Sequence, residues 1–353
     1  MRENLRAALR SGALSVGGTM FALRASTALA GCSTSDRSDG TPPEEDEAVV
    51  APELELRPEL QLLSDRIESR MTATRGRYAV AWRDLGNGDE ILLHADSSFH
   101  AASMMKVPVM VRLFRMAEAG RIDLDSPIPV RNEFRSIEDG SLYALSMEDD
   151  SDSTLYARVG GTATPRELIE RMIARSSNLA TNILVELADP DSIGVMLSTL
   201  GADGMRVLRG VEDIPAYRAG HNNTTTARGL LELFTAIVEG RAAGPEATAE
   251  MLAILGRQEF NDAIPAGLPP GTPVAHKTGW IPAVDHDGGI VFPANGAPYV
   301  LVILTAGIED ETVTRTAAAH VSRTIWDWKA WQRSLRGESD RPSPGPPPAP
   351  ART

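Results

Sequence analysis

Two different spacings of apolar residues divide the chain into helices and strands. Apolar residues three and four apart predict one helix over 54–72 and another over 312–331. Short apolar runs bounded by Gly, Asn and Asp predict strands, and Asn-Gly dipeptides at 87–88 and 295–296 predict tight turns between two pairs of them. The strands predicted in this way are 77–83, 90–94, 273–280, 289–292 and 299–305.

The order of these elements predicts how the fold is assembled. Two strands early and three late flank a mostly helical middle that extends from about residue 103 to residue 238. One antiparallel sheet completed by both ends of the chain, with helices packed on it, accounts for that order. We therefore predict an α/β fold of the α+β type, with a five-stranded antiparallel sheet, flanking helices and an all-helical subdomain.

Residues 1–32 have the organisation of a bacterial export signal. Arginines precede a moderately apolar segment that is too short for a convincing membrane span. Residues 29–32 are Leu-Ala-Gly-Cys, which resembles the lipobox whose cysteine is lipidated, and Cys32 is the only cysteine in the 353 residues. We expect an exported lipoprotein of the periplasm or cell envelope, anchored through Cys32, with plain secretion as the alternative.

Composition separates a folded domain from its two flanks. Residues 33–52 form an acidic segment that contains Ser, Thr and Pro, and residues 337–353 are rich in proline. Neither segment can bury much apolar surface, so we expect an acidic tether and a Pro-rich tail, both disordered. The folded domain is predicted to be 53–336.

The charge of the chain excludes one class of partner. Its 35 basic and 48 acidic residues give a net charge of -13, which repels nucleic acid and anionic membrane surfaces. We expect no nucleic acid partner, membrane contact through the lipid anchor only, and a monomer.

The sequence predicts neither a metal nor a cofactor. Its six histidines are scattered and lack the spacing of a zinc site. Residues 285–287, Asp-His-Asp, are locally similar to a metal site, but we interpret them as a solvated turn. We interpret the acidic stretch 147–153 as a solvated surface loop.

The strongest chemical pattern pairs Ser103 with Lys106 at the start of an apolar helix. Residues three apart share a helix face, so the amine can lie beside the hydroxyl. An amine that burial keeps partly neutral can accept the serine proton, and the helix N-terminus offers N–H groups to a developing oxyanion. Because such a pair is common by chance, it needs partners elsewhere in the chain.

Two further triplets supply those partners. Residues 176–178, Ser-Ser-Asn, precede an apolar helix, and residues 277–279, Lys-Thr-Gly, end a predicted strand where glycine lets a substrate backbone come close. Each triplet alone is weak evidence. Together, however, the chain has Ser-x-x-Lys on a helix, then Ser-x-Asn before a helix, then Lys-Thr-Gly on a strand, and this ordered combination is much more specific. The chain thus resembles the penicillin-recognising serine hydrolases, and more closely the class A β-lactamase family, over 53–331.

This resemblance implies a β-lactamase/transpeptidase-like fold and a role for each motif residue. Ser103 is then the acylated nucleophile, and Lys106 is its hydrogen-bonded activator. Ser176 passes a proton to the leaving nitrogen. The residues implied to hold the substrate are Asn178, Lys277, Thr278 and Trp280, the last through a backbone N–H that completes the oxyanion hole.

The resemblance also implies a second base on a loop below the site. It maps to Glu212 in the stretch 209–214, which lies about as far beyond the Ser-Ser-Asn triplet as the family requires. The alternative interpretation is an ordinary surface pair of Glu212 and Asp213.

Three departures from the family pattern bear on the substrate. Ser177 stands where the family has an aspartate, which we expect to loosen that loop. The loop from Glu212 to Thr226 lacks the aspartate before its threonines, so a salt bridge from Arg209 or Arg218 to that position cannot form. The strand after Lys-Thr-Gly has no arginine for a β-lactam carboxylate.

Three functions fit these observations. The first is a serine β-lactamase in which a water activated by Glu212 hydrolyses the acyl-enzyme on Ser103. The second is a D-alanyl-D-alanine carboxypeptidase or esterase that acts on peptidoglycan-like peptides or small esters, and the third is a β-lactam sensor that is acylated without turnover. Glu212 discriminates among them, because without a positioned base the acyl-enzyme persists.

Overall fold

The computed structural model describes residues 57–337. The predictions for the export signal with Cys32, for the tether at 33–52 and for the tail beyond residue 337 lie outside the described residues and stay predictions. In the described part of the chain, no helix combines the length and the apolar character that a membrane span requires.

Long strands occur near both ends of the described chain, and two-residue strands occur in its middle. The strands are β1 (Arg77–Asp84), β2 (Glu90–Leu93), β3 (Phe99–His100), β4 (Ile128–Pro129), β5 (Phe134–Arg135), β6 (Leu142–Tyr143), β7 (Thr162–Ala163), β8 (Thr224–Thr225), β9 (Val274–Ile281), β10 (Val284–Val291) and β11 (Tyr299–Ala306).

The long strands form one antiparallel sheet in the order β2-β1-β11-β10-β9. Strand β1 pairs along its whole length with β11, from Arg77 opposite Ala306 to Asp84 opposite Tyr299. The predicted five-stranded sheet built from both ends of the chain is therefore confirmed. Strand β9, which contains Lys-Thr-Gly, lies at the edge of this sheet.

Helices occupy the middle of the chain and both flanks of the sheet. They are α1 (Pro58–Thr72), α2 (Lys106–Glu118), α3 (Pro165–Ala174), α4 (Asn178–Ala188), α5 (Pro190–Thr199), α6 (Ile214–Arg218), α7 (Ala227–Val238), α8 (Pro245–Leu255) and α9 (Glu311–Leu335).

Helix α2 is the centre of the helical part. Its residues 106–114 are all buried, and it packs against α3, α4, α5 and α8. Helix α7 packs on β1, β10 and β11, while α1 and α9 pack on each other beside the sheet. Because residues 106–114 are buried on every side, the start of α2 is held rigidly between the helices and the sheet.

One strand begins earlier than the sequence indicated. Strand β10 starts at Val284 rather than at residue 289, so the interpretation of residues 285–287 as a solvated turn is wrong. Both His286 and Asp287 are 2% exposed. His286 Nε2 donates to His100 O at 2.9 Å, and His276 Nδ1 donates to Asp287 Oδ1 at 2.8 Å. These internal hydrogen bonds let polar residues occupy a buried strand, which hydrophobic patterning alone does not reveal.

Candidate active site

The candidate nucleophile lies on a tight turn between β3 and α2. Ser103 is in the 3-10 turn Ala102–Met105, and Lys106 is the first residue of α2. Ala102 has φ 46°, and its N–H donates to His100 Nδ1 at 3.0 Å. Positive φ is costly for a residue with a side chain, so this backbone persists only because its surroundings hold it.

Strand β9 lies directly against this turn. A Cβ atom on Gly279 would lie 3.2 Å from Ser103 N and 3.2 Å from Met104 N. Only glycine therefore fits at this position without a shift of one backbone or the other. The strand is thereby brought to the nucleophile turn, and the approach of a substrate backbone at this glycine stays a prediction.

Lys106 is completely buried and makes its hydrogen bonds across the site. Its Nζ donates to Ser176 O at 2.6 Å, to Asn178 Oδ1 at 3.0 Å and to Ser176 Oγ at 3.1 Å. Within residues 57–337, no hydrogen bond joins Lys106 Nζ to Ser103 Oγ in this structure. The lysine thus connects the start of α2 to the Ser-Ser-Asn triplet at the start of α4.

Lys277 approaches the same serine from the sheet. Its Nζ donates to Ser176 Oγ at 3.0 Å and to Thr278 O at 2.8 Å. Ser176 Oγ therefore lies between two lysines that are both 0% exposed. Ser176 itself has φ 56°, a second strained backbone position at the site.

Burial weakens the hold of both lysines on their protons. Burial lowers the pKa of Lys106 to about 7, and the carboxylates of Asp150 and Glu212 oppose that shift. The pKa of Lys277 is lowered well below its usual value, by burial first and then by the nearby Lys106. A lysine with a pKa near 7 can be neutral at physiological pH and accept a proton.

Glu212 lies beside these groups rather than on the surface. It has φ 61° and is partly buried in the segment before α6. Burial and the carboxylates of Asp149 and Asp150 raise the pKa of Glu212 to about 7, while the Asn178 side chain and a backbone N–H oppose the shift. Its effect on Lys106 and its contact with Asn178 place it among the motif residues.

Two buried side chains fix the backbone on either side of Glu212. Asn182 accepts from Val211 N at 2.7 Å and donates to Val211 O at 3.0 Å. Asp213 accepts from Ser136 Oγ at 2.7 Å and from Ile137 N at 2.9 Å, so it ties the segment to the β5–β6 hairpin. Hydrogen bonds on both sides allow the positive φ at Glu212 to persist.

Arg209 clasps the same loop without an aspartate. Its guanidinium donates to His221 O at 2.8 Å, to Asn222 Oδ1 at 3.2 Å and to Gly210 O at 3.0 Å. These acceptors are carbonyl and amide oxygens, so the contacts of Arg209 with this loop are made without a carboxylate. Arg209 is 6% exposed, so these hydrogen bonds to neutral acceptors hold the loop from inside the protein.

The acidic stretch 147–153 is not the solvated loop that we predicted. Asp150 is 8% exposed and accepts from Asn178 N at 3.0 Å and from Leu179 N at 2.8 Å. Asp152 is 3% exposed and pairs with Arg171 at 2.8 Å. Runs of charge are usually solvated, but here two carboxylates find buried donors on distant segments.

Ser177 does not loosen its loop, contrary to our expectation. Its Oγ caps α4 by accepting from Ala180 N at 3.3 Å, and its N–H donates to Arg171 O at 3.1 Å. The carboxylate that the triplet lacks is supplied to the same helix end by Asp150. The loop is therefore held by residues from outside the triplet.

Thr278 and Trp280 share one face of the edge strand. Alternate residues of a strand point to the same side, and Thr278 is partly buried while Trp280 is 45% exposed. The Trp280 indole is therefore exposed on the Thr278 side of β9, and Lys277 Nζ reaches Ser176 Oγ at 3.0 Å.

The structure brings seven predicted side chains into one network or onto its rim. Hydrogen bonds and charge interactions connect Lys106, Ser176, Asn178, Lys277 and Glu212, and Ser103 and Thr278 flank that network. Sequence reasoning missed Asp150 and Asp213, whose only signal was a carboxylate near a motif or within a charge run. In the described chain, no group of acidic, His or Cys residues is arranged to hold a metal ion.

Comparison with known sequences identifies a family of similar proteins. The model of the β-lactamase enzyme family matches residues 62–329. The β-lactamase CTX-M-97 of Escherichia coli is 24% identical over 262 residues, which cover 72% of this chain and 84% of that protein. A β-lactamase of Streptomyces albus G is 25% identical over 278 residues, which cover 74% of this chain and 83% of that protein.

Solved structures show the same fold. A variant of PBP-A, determined as its acyl-enzyme complex with penicillin G, has a TM-score of 0.65 at 25% identity and covers 79% of this chain and 100% of its own. A β-lactamase from Xanthomonas campestris pv. campestris has a TM-score of 0.68 at 22% identity and covers 77% of this chain and 98% of its own. With a family model that spans most of the described residues and relatives among the class A enzymes, this chain belongs to the β-lactamase enzyme family.

Proposed function

We propose that this protein is a serine β-lactamase that opens the lactam ring through an acyl-enzyme on Ser103 and then hydrolyses that ester. The observation that carries the proposal is the environment of Lys106. A fully buried lysine with a pKa of about 7 makes no direct contact with a carboxylate of residues 57–337 and lies one helical turn from the candidate nucleophile.

Acylation begins with proton transfer to neutral Lys106. The Ser103 hydroxyl gives its proton to Lys106 Nζ as Oγ attacks the lactam carbonyl, and the two form the hydrogen bond in the substrate complex, where catalytic contacts often tighten. The backbone N–H groups of Ser103 and Trp280 stabilise the oxyanion. Ser176 then protonates the leaving nitrogen and regains a proton from Lys106, to which it is hydrogen-bonded at 3.1 Å.

Substrate orientation falls to the edge strand and the start of α4. Lys277 and Thr278 face the substrate carboxylate, and Asn178 binds the side-chain amide while it also accepts from Lys106 at 3.0 Å. The negative charge of an arriving carboxylate raises the pKa of Lys277, so binding itself favours the charged form that holds the substrate.

Deacylation needs a base on the other side of the acyl carbon. Glu212 has a pKa of about 7 and contacts the Asn178 side chain, so at neutral pH it can accept a proton from water. That water attacks the ester, the bond from the acyl carbon to Ser103 Oγ breaks, and Ser103 Oγ takes up the proton that Glu212 accepted from the water. The acyl-enzyme of the PBP-A variant with penicillin G shows that this fold forms such an ester in a related protein.

A burst experiment with simultaneous mass measurement tests the proposal. Purified protein is mixed with a chromogenic cephalosporin, and intact mass is recorded during and after turnover. Continuous product release with a final mass equal to that of free protein supports a hydrolase. A single stoichiometric burst with a persistent mass increment means that the protein is a β-lactam binder, and no burst and no increment would overturn the assignment.

We also propose that the protein is a cell-envelope lipoprotein anchored through Cys32. The support is the Leu-Ala-Gly-Cys sequence at 29–32. Expressed in a bacterial host, the wild type should fractionate with membranes, and Cys32→Ala should be soluble or remain as precursor. A soluble wild type that begins at another residue would show that the lipobox assignment is wrong.

A further inference from the structure

The segment 150–151 holds the backbone of the Ser-Ser-Asn triplet from two sides. The Asp150 carboxylate accepts from Asn178 N and Leu179 N, at 3.0 and 2.8 Å. Ser151 Oγ donates to Arg175 O at 2.6 Å and lies 3.2 Å from Ser176 O. One short segment thus binds N–H groups after the strained Ser176 and carbonyl groups around it.

The carboxylate of Asp150 is itself fixed in place. Tyr156 donates from its hydroxyl to Asp150 Oδ2 at 3.1 Å, and Asp152 N donates to Asp150 Oδ1 at 3.0 Å. A buried carboxylate that accepts several N–H and O–H groups is restricted to one orientation. Its charge is therefore held at a constant position relative to the lysine network.

We infer that Asp150, which lies outside all three motifs, is the positioning residue that orients Ser176 and Asn178 and keeps a negative charge close to Lys106. This inference rests on the proposed function, because it concerns the same acylation site. Asp150, which belongs to the acidic stretch 147–153, then supplies the carboxylate that Ser177 lacks.

Several charged groups besides Asp150 face Lys106 and Glu212. Glu212 approaches Lys106 from the loop before α6, and Lys277 approaches it from β9. The carboxylates that raise the pKa of Lys106 are those of Asp150 and Glu212, whereas Asp149 raises the pKa of Glu212. Removal of the Asp150 charge should therefore lower the pKa of both Lys106 and Glu212, whereas removal of the Asp149 charge should lower that of Glu212.

The lysine content of the chain permits a direct test. Lysine occurs only at positions 106, 277 and 329, so a protein labelled with ¹³C at the lysine ε-carbon gives few NMR signals, and Lys→Arg variants assign them. In the wild type, Lys106 should titrate at about pH 7. In Asp150→Asn, its midpoint should move to lower pH; in Asp149→Asn it should not move to lower pH, and in the exposed control Glu148→Gln it should stay.

Acylation kinetics supply the second readout. In Asp150→Asn the rate of labelling by a fluorescent penicillin should fall roughly 10- to 100-fold, as expected when a reacting group is misplaced, and its acid limb should shift in parallel with Lys106. In Asp150→Glu the charge remains and the geometry changes, so the rate should fall while the Lys106 midpoint stays near that of the wild type.

The outcomes separate this inference from the proposed function. The Lys106 titration needs no substrate, so an unchanged midpoint in folded Asp150→Asn overturns the inference even if the wild type never acylates. If Asp150→Asn does not fold, the test uses Asp150→Glu, which keeps the charge. A Lys106 midpoint that moves to lower pH in Asp150→Glu, as if the charge were absent, also overturns the inference. A purely structural role would reduce folded protein and leave the Lys106 midpoint where it is.

Discussion

Lys106 and Lys329 are both buried lysines, but they have opposite relations to a carboxylate. Lys329 of α9 is 6% exposed, pairs directly with Asp84 of β1 and lies 5.5 Å from the centre of the Tyr299 ring. Lys106 is 0% exposed, and among the residues that the structure describes it donates to carbonyl, amide and hydroxyl oxygens only. Burial lowers the pKa of each, and Asp84 opposes the shift for Lys329 by direct contact.

Direct contact with a carboxylate decides whether a buried lysine can lose its proton near neutral pH. A carboxylate in direct contact favours the ammonium form and turns the pair into a structural tie between sheet and helix. Carboxylates held farther away, as with Asp150 and Glu212, leave the amine able to lose and regain its proton near neutral pH. The chain has 35 basic residues, of which three are lysines, and arginine, which stays charged, supplies the rest.

The largest expected effect comes from removing the group that Lys106 serves. Ser103→Ala should abolish covalent labelling by a fluorescent penicillin, because no other hydroxyl lies on the turn at the start of α2. Circular dichroism and the melting temperature should match those of the wild type. Labelling that survives, or that maps to Ser176 by peptide mass, would break the assignment of the nucleophile.

Lys106→Met tests whether Lys106 is the base that acylation needs. Acylation should slow by about 10²- to 10⁴-fold, the range for loss of a positioned base. The free energy of unfolding should be unchanged or higher, because an apolar side chain of similar length removes the cost of burying an amine. A large loss of stability would mean that Lys106 is structural, like Lys329.

Glu212→Gln keeps the shape of the side chain and removes its basicity. The expected result is one stoichiometric burst followed by a persistent mass increment on Ser103, with steady turnover lower by about two orders of magnitude or more. Glu148→Gln, which neutralises an exposed carboxylate, is the matched control. Wild-type turnover in Glu212→Gln would show that Glu212 is not the base in deacylation.

Lys329→Met should show the converse of Lys106→Met. It leaves Asp84 buried without its cation, so the free energy of unfolding should fall by about 3–5 kcal/mol in urea titrations. Acylation per folded molecule should stay at the wild-type level, since Lys329 lies between α9 and β1, away from the Ser176 network. A selective loss of acylation in a stably folded variant would contradict the comparison.

The pH dependence should be the mildest of these effects. Acylation needs neutral Lys106 and deacylation needs ionised Glu212, and both pKa values are about 7. Both active forms increase as pH rises, so turnover should rise through about pH 7 and fall about tenfold per pH unit on the acid side where one ionisation controls the rate. An activity that is flat from pH 5 to pH 8 would show that neither group controls the reaction.

The sequence predicted much of this architecture because its signals were local. The Asn-Gly dipeptides and the apolar spacing of α1 and α9 each act within a few residues, and the corresponding elements appear. Strand β10 was predicted too short because His286 and Asp287 are polar residues whose hydrogen-bond partners lie on other segments of the fold.

Motif identity was likewise visible in the sequence, since Ser103, Lys106, the Ser-Ser-Asn triplet and Lys-Thr-Gly are recognisable by residue type and order. Only the tertiary structure decided that the acidic stretch 147–153 contributes a buried carboxylate to the start of α4, and that two lysines meet at Ser176 Oγ. The physical reason is that ionisation depends on burial and on distances between groups, and both arise from segments that the chain brings together only on folding.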